Sequence, residues 1–262
     1  MKVQGFTLVE MIITMILLSI VGLSLAGIIT QGTQIYVDTT ARKLVLQEGR
    51  FVSERIVREL RRAVPNSLVA QRGGSCIEWV PVRASGIYSD LPVKPENELT
   101  IIPDGTIAKD QRVIIYPVSA ADIFTANPPV GGENKVAVIS ENITFTPSDT
   151  ENMIELKLGA LTLFPTASPA NRFYIFDTPV AYCHEGSNVW RYSNYALERG
   201  ALNTPNFTGA EKVLMAQNVT ELEFDVDKPT LTRNGLVKFH IELSARGESV
   251  RFDHDALIAN AP

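Results

Sequence analysis

The feature that most constrains this chain is an apolar run near its start, residues 6–29. Its polar residues are few, and all but one are small hydroxyl side chains: Thr7, Glu10, Thr14, Ser19 and Ser24. A helix needs about 20 apolar residues to cross the hydrocarbon core of a bilayer, so this run is long enough to span a membrane once. No later part of the sequence repeats the pattern. We therefore expect residues 6–30 to form one transmembrane helix.

Three kinds of N-terminal segment fit such a run. A secretory signal peptide would be cut near Ser24-Leu25-Ala26, a signal anchor would be kept whole, and a short leader would lose only residues 1–5. Glu10 favours the third, because a carboxylate costs about 2.5–3.5 kcal/mol at the centre of an inserted helix and somewhat less at a shallower depth. A signal peptide or a plain anchor has no use for it, whereas carboxylates inside membranes usually pair with a positive charge.

The residues around Gly5 carry a family resemblance. Lys2 followed by Gly5-Phe6-Thr7-Leu8-Val9-Glu10 resembles the signal of type IV pilins and type II secretion pseudopilins. The resemblance implies that a prepilin peptidase cuts between Gly5 and Phe6 and that Phe6 is then N-methylated. It also implies that Glu10 pairs with the Phe6 amine of a neighbouring subunit during filament assembly, as an assembly carboxylate and not as a catalyst.

The same resemblance implies a location and a set of partners. The chain would be a single-pass protein of the bacterial inner membrane, with its C-terminal region in the periplasm, before it enters a pilus filament. The implied partners are the prepilin peptidase/methyltransferase, other major and minor pilins, the inner-membrane assembly platform with its cytoplasmic ATPase, and the lipid bilayer. A formal net charge of −5, with no basic stripe, predicts that nucleic acid is not a partner.

The second half of the helix, residues 31–64, has an amphipathic pattern. Apolar or small residues recur at spacings of three and four, which is one helical stripe: Ala41, Val45, Gly49, Val52, Ile56, Leu60 and Ala63. Charged residues lie opposite, and Pro65 is predicted to end the helix. We expect the stripe to be the face on which a globular head packs; a short coiled-coil seam with another protein is the alternative.

Beyond the helix, residues 65–262 show short β-rich runs between turn residues. The predicted strands are 76–80, 99–102, 112–116, 135–139, 143–145, 153–158, 172–176, 180–183, 189–192, 221–226 and 237–243. The expected architecture is α+β: a long N-terminal helix packed on an antiparallel β-sheet head. The expected organisation is a leader (1–5), a transmembrane helix (6–30), an amphipathic helix (31–64) and a periplasmic head (65–262).

Two cysteines, Cys76 and Cys183, bear on the compartment and on catalysis. Alone they fit either a disulfide or two inert thiols, but a head exported across the membrane enters an oxidising compartment, which favours a Cys76–Cys183 disulfide. A catalytic role for Cys183 beside His184 and Glu185 would require a free thiolate.

No other pattern predicts an enzyme or a cofactor. His184, His240 and His254 stand apart in sequence without partners at metal-ligand spacing, and Asp225 with Asp227 fails the calcium-loop pattern. We therefore expect a structural protein with no metal and no cofactor.

The chain's length narrows its place within the pilin-like family. The main filament pilins tend to be shorter, whereas larger heads are typical of minor pilins and of the J-type pseudopilin. Residues 62–67, 173–183 and 254–262 resemble the MshO-type minor pilin of the mannose-sensitive haemagglutinin (MSHA) pilus. The expected function is therefore a minor type IV pilin that initiates or caps pilus assembly. A J-like minor pseudopilin of type II secretion is the alternative, and a signal-anchored periplasmic enzyme is the alternative from a different class.

Overall fold

The computed structural model describes residues 5, 7–124, 130–146, 153–202, 205–227 and 235–258. The helix α1 (Leu8–Leu60) precedes a β-rich head, with 25% helix and 43% strand, so the predicted α+β class is confirmed. Two short 3-10 helices occupy Arg72–Gly74 and Ala120–Asp122. The strands of the described residues are β1 (Val69–Gln71), β2 (Cys76–Trp79), β3 (Val82–Tyr88), β4 (Glu96–Pro103), β5 (Arg112–Ile115), β6 (Gly132–Glu133), β7 (Val136–Val138), β8 (Ile154–Leu163), β9 (Arg172–Phe176), β10 (Val180–Glu185), β11 (Asn188–Ser193), β12 (Glu211–Ala216), β13 (Val219–Asp227), β14 (Gly235–Ala245) and β15 (Glu248–Ile258).

The helix ends at Leu60, four residues earlier than the sequence predicts. The backbone N–H of Arg61 closes the last turn on Val57, and the chain then leaves the helix. The next backbone groups form hydrogen bonds with the segment that leads from β2 into β3. The Val64 N–H donates to the Val80 carbonyl at 2.8 Å, and the Val82 N–H donates to the Arg62 carbonyl at 2.8 Å. The pairing with the sheet ends the helix before Pro65 can do so.

The predicted stripe packs on two sheets. One has the strand order β1-β2-β10-β11-β12 and the other is the antiparallel meander β13-β14-β15. Val45, Gly49, Val52, Ile56 and Leu60 are the stripe residues of α1 that this core buries. At Gly49 the sheet comes so close that a Cβ atom would overlap the ring of Phe252. This close approach explains why the stripe contains a glycine.

A polar contact aligns the C-terminal part of α1 with the first sheet. The Glu59 carboxylate accepts hydrogen bonds from Arg55 at 2.9 Å, from the Tyr182 hydroxyl at 3.1 Å and from Arg191 at 3.1 Å. The Arg55–Glu59 pair is the (i, i+4) pair expected on a helix surface. Because Tyr182 of β10 and Arg191 of β11 donate to the same carboxylate, Glu59 links the helix to two strands of the sheet.

The third sheet closes on itself. Its order is β6-β8-β4-β3-β9-β5-β7, and β7 returns to β8 through an Ile139–Leu158 bridge and a 3.0 Å hydrogen bond from the Ser140 N–H to the Lys157 carbonyl. Six strands, β8-β4-β3-β9-β5-β7, therefore form a barrel. In sequence, the barrel lies between β2 and β10, which pair directly with each other. Its apolar interior consists of Ala84, Tyr88, Leu99, Ile101, Ile107, Val113, Ile115, Ala137, Ile139, Leu156, Leu158, Phe164, Phe173 and Ile175.

One predicted strand, 143–145, is wrong. Ile143 forms an isolated bridge with Ile107, with N–H to carbonyl distances of 2.8 and 2.9 Å, but the pairing goes no further. Phe145 instead donates its N–H to the Thr106 hydroxyl at 3.4 Å. A side chain thus takes the place of the partner carbonyl that would extend a strand.

The outer face of the first sheet is covered by the segment that follows β11. Its side chains Tyr195 and Phe207 lie against Tyr192, and Arg199 reaches the buried Glu78 of β2. Glu78 accepts two bonds from Arg199, at 2.7 and 3.0 Å, and one from Tyr195 at 2.8 Å. This ion pair is closed to solvent, with 0% of the Glu78 side chain and 5% of the Arg199 side chain exposed.

Candidate functional site: the N-terminal helix and its carboxylate

The N-terminus of α1 is capped by the motif itself. Thr7 is the N-cap residue in extended conformation, and its hydroxyl accepts a hydrogen bond from the Glu10 N–H at 3.3 Å. Glu10 therefore lies in the first turn, where a negative charge complements the helix dipole. Gly5 is exposed, whereas Phe6 and residues 1–4 lie outside the described residues, so cleavage between Gly5 and Phe6 stays a prediction.

The apolar half of α1 has no contact surface in the described part of the chain. Every residue from Leu8 to Tyr36 is exposed, although most of them are large hydrophobic side chains. In the described part of the chain, α1 is the one helix that is long and apolar enough to cross a membrane. An exposed apolar surface of this length requires lipid or other protein to cover it.

The hydroxyl groups in this half are all satisfied within the helix. Each donates to a backbone carbonyl three or four residues earlier, at 2.7–3.0 Å: Thr14, Ser19, Ser24, Thr30 and Thr33. This arrangement needs no water and is compatible with a hydrocarbon environment. Among the residues that the structure describes, the Glu10 carboxylate has no bonding partner, and it is the one charged side chain between Leu8 and Tyr36, so it is left for an intermolecular contact.

The comparisons with known proteins agree with this geometry. Residues 1–26 match the family model described as the prokaryotic N-terminal methylation motif, which is 26 of 262 residues. No significant match to a curated protein or to a solved structure was found. The match supports a type IV pilin-like protein: a structural subunit with one membrane-anchoring helix, processed by prepilin peptidase and assembled with other pilins.

The structure joins Cys76 and Cys183 in a disulfide, as predicted. The two residues face each other on the antiparallel strands β2 and β10, with Cα atoms 4.1 Å apart and both side chains fully buried. Cys183 is therefore no free thiolate, and its neighbour His184 places its Nε2 3.2 Å from the Val219 carbonyl. The two cysteines are 107 residues apart in sequence, and all the barrel strands lie between them. The bridge therefore joins the segment that enters the barrel to the segment that leaves it.

Replacing both cysteines by alanine should lower the free energy of unfolding by about 2–4 kcal/mol, because the bridge removes loop entropy from the unfolded chain. The measurement is guanidinium unfolding of the full chain in detergent. As a control, reductant should shift the wild-type midpoint to that of the variant and leave the variant unchanged. Equal midpoints for oxidised wild type and variant would contradict the stabilising role.

One cluster of potential metal ligands is formed by residues that the sequence pattern does not connect. His240 of β14 has no partner at ligand spacing along the chain, but the sheet places it beside Glu221 and Glu223 of β13. The signal in the sequence was the Glu-x-Glu pair at strand periodicity, which puts two carboxylates on one face. Only the register of β14 shows that a histidine joins them.

Proposed function

We propose that this chain is a minor type IV pilin of an MSHA-like pilus, which initiates or caps filament assembly. Its parts are a leader (1–5), a transmembrane and filament-core helix (6–30), an amphipathic helix (31–64) and a periplasmic head (65–262). The observation that carries the proposal is the exposed apolar half of α1 with the unpartnered Glu10 in its first turn, five residues after Gly5.

In the proposed mechanism, the precursor is held in the inner membrane by α1. The prepilin peptidase cuts after Gly5, and the new N-terminal amine of Phe6, once methylated, is a cation. During assembly the amine of one subunit pairs with Glu10 of a neighbour, which offsets the cost of keeping the carboxylate in an apolar environment. The helices then leave lipid for the filament core, helped by the assembly platform and by other pilins.

The size of the head favours a minor subunit. The inserted barrel adds bulk beyond the two sheets that pack on α1, and such a head is better suited to a filament end than to repeated lateral packing. A J-like pseudopilin of type II secretion would use the same N-terminal chemistry, and the neighbouring genes would separate the two systems. We assign no catalytic role; a signal-anchored enzyme would keep its activity without residues 1–30.

The test is the intact mass and N-terminal sequence of the protein purified from its native membrane. The wild type should begin at N-methyl-Phe6, and Gly5→Ala should keep residues 1–5. Gly32→Ala is the matched control, since it alters a glycine of the exposed helix beyond the residues 1–26 that match the methylation motif and should be processed normally. A wild-type chain beginning at Gly27 would identify an ordinary secreted protein and overturn the proposal.

A further inference from the structure

The outer face of the β13-β14-β15 meander carries a cluster of metal-ligating side chains. On each strand, alternate residues point into the core against α1, and the others point outward. Glu223 lies directly opposite His240 in the β13-β14 pairing, and Glu221 is on the same face. The two carboxylate side chains are 51% and 57% exposed, whereas the imidazole is only 17% exposed.

The geometry around the imidazole resembles part of a coordination sphere. His240 Nε2 lies 3.4 Å from Glu221 Oε1 and 4.0 Å from Glu223 Oε2, and one ligand atom of each residue lies within 4.8 Å of the other two. Metal–ligand bonds of about 2.0–2.2 Å place two ligand atoms of a tetrahedral site roughly 3.3–3.6 Å apart. The exposed carboxylates need only a small movement to reach such positions.

The imidazole nitrogen itself lacks a hydrogen bond. Nε2 of His240 is buried at the atomic level and has no hydrogen-bond partner among the described residues, despite its closeness to Glu221. Buried polar atoms in proteins are nearly always satisfied, so a nitrogen in this position points to a ligand in front of it. An open groove of about 500 Å³, lined by Glu223, His240 and Asp253, borders the cluster and gives water access to its exposed carboxylates.

The basic residues Lys238 and Arg251 on the outer face of the meander are paired with other carboxylates. Lys238 lies 3.8 Å from Asp227, and Arg251 bonds Asp253 at 3.0 Å. Neither is paired with Glu221 or Glu223, so among the described residues the two carboxylates share His240 as their one ion-pair partner. A divalent cation would neutralise both of them at once.

We infer that Glu221, Glu223 and His240 form a binding site for a first-row divalent transition metal of the Zn²⁺ type, completed by water. The mixed nitrogen and oxygen donors suit Zn²⁺, whereas Ca²⁺ and Mg²⁺ prefer oxygen donors only. The bound ion would link β13 to β14 on the face away from α1. The site is independent of the N-terminal motif and does not rest on the proposed function.

The test is a calorimetric titration of metal-free full-length chain in detergent with Zn²⁺ alone. We expect one saturable site, weakened at least about tenfold by His240→Gln and by the double variant Glu221→Gln/Glu223→Gln. The matched control, Asp227→Asn/Glu248→Gln, removes the same charge from the same three-stranded sheet, at residues that neither line the groove nor pair with the proposed ligands, and should change the affinity by no more than about threefold. Thermal melting in the absence of metal checks that each variant is folded. If His240→Gln does not fold, the glutamate double variant still tests the site, because both glutamate side chains are exposed.

Three results of the Zn²⁺ titrations would overturn the inference. They are the absence of a saturable Zn²⁺ site, binding that the glutamate double variant leaves unchanged, and equal weakening in the control, which would indicate a diffuse acidic surface. Ca²⁺ that binds as tightly as Zn²⁺ would also contradict a site built around an imidazole.

Discussion

Glu10→Leu should insert into the membrane at least as well as the wild type but enter filaments at least about tenfold less. Removing the carboxylate removes an insertion cost of up to about 2.5–3.5 kcal/mol, so anchoring should not suffer. Assembly should suffer, because the Phe6 amine of the neighbouring subunit would lose its charge partner in an apolar environment. Truncating one partner of such a buried pair typically costs about 3–5 kcal/mol, more than a tenfold effect requires. The measurement compares the amounts of the protein in membrane and sheared-filament fractions by immunoblot.

The matched control for this prediction is Thr14→Val, one turn further along the same exposed face. It removes a polar group whose hydrogen bond is already satisfied within the helix, at 2.9 Å to the Met11 carbonyl, so filament entry should stay normal. A Glu10→Leu protein recovered from filaments at the wild-type level would show that the carboxylate has no assembly role. A signal-anchored enzyme would likewise be indifferent to this change.

Arg199→Met should lower the free energy of unfolding by about 3–5 kcal/mol, because it leaves the carboxylate of Glu78 buried without its countercharge. The covering segment would keep the Tyr195 bond to Glu78 but lose both Arg199 bonds to it, and with them the stacking of Arg199 on Phe124, where the guanidinium carbon lies 3.8 Å from the ring centre. Guanidinium unfolding of the full chain in detergent measures the change. The control is Arg42→Met, the same substitution in the exposed Arg42–Glu248 pair, which should cost less than about 1 kcal/mol.

The pH dependence of the Arg199→Met variant follows from the same carboxyl. Burial raises the pKa of Glu78, and the Arg199 guanidinium opposes that rise. Without the guanidinium, the folded-state pKa of Glu78 lies further above that of the unfolded chain, so the folded state binds a proton more readily. The variant should therefore recover stability as the pH falls from 8 to 5. A deficit that is constant across this range would show that Glu78 stays ionised without Arg199.

The sequence was sufficient for the features that depend on local periodicity and chemistry. The apolar run with Glu10, the stripe through Val45, Val52 and Ile56, and ten of the eleven predicted strands correspond to elements of the structure. With two cysteines only one intrachain pairing exists, so the disulfide followed once export was expected. The strands that were missed include β15, since outward charges such as Arg251 and Asp253 make a half-buried strand look polar.

The contacts that depend on long-range strand pairing were decided only by the tertiary structure. The barrel closes between Ile139 and Leu158, and Arg199 meets Glu78 across 121 residues; neither contact leaves a periodic signal in the sequence. His240 joins Glu221 and Glu223 only because β14 pairs with β13 in one register. A slip of one residue would turn its side chain to the opposite face of the sheet. Sequence pattern therefore determined the membrane helix and the elements of the head, whereas pairing register, a property of the packed sheets, determined which side chains meet.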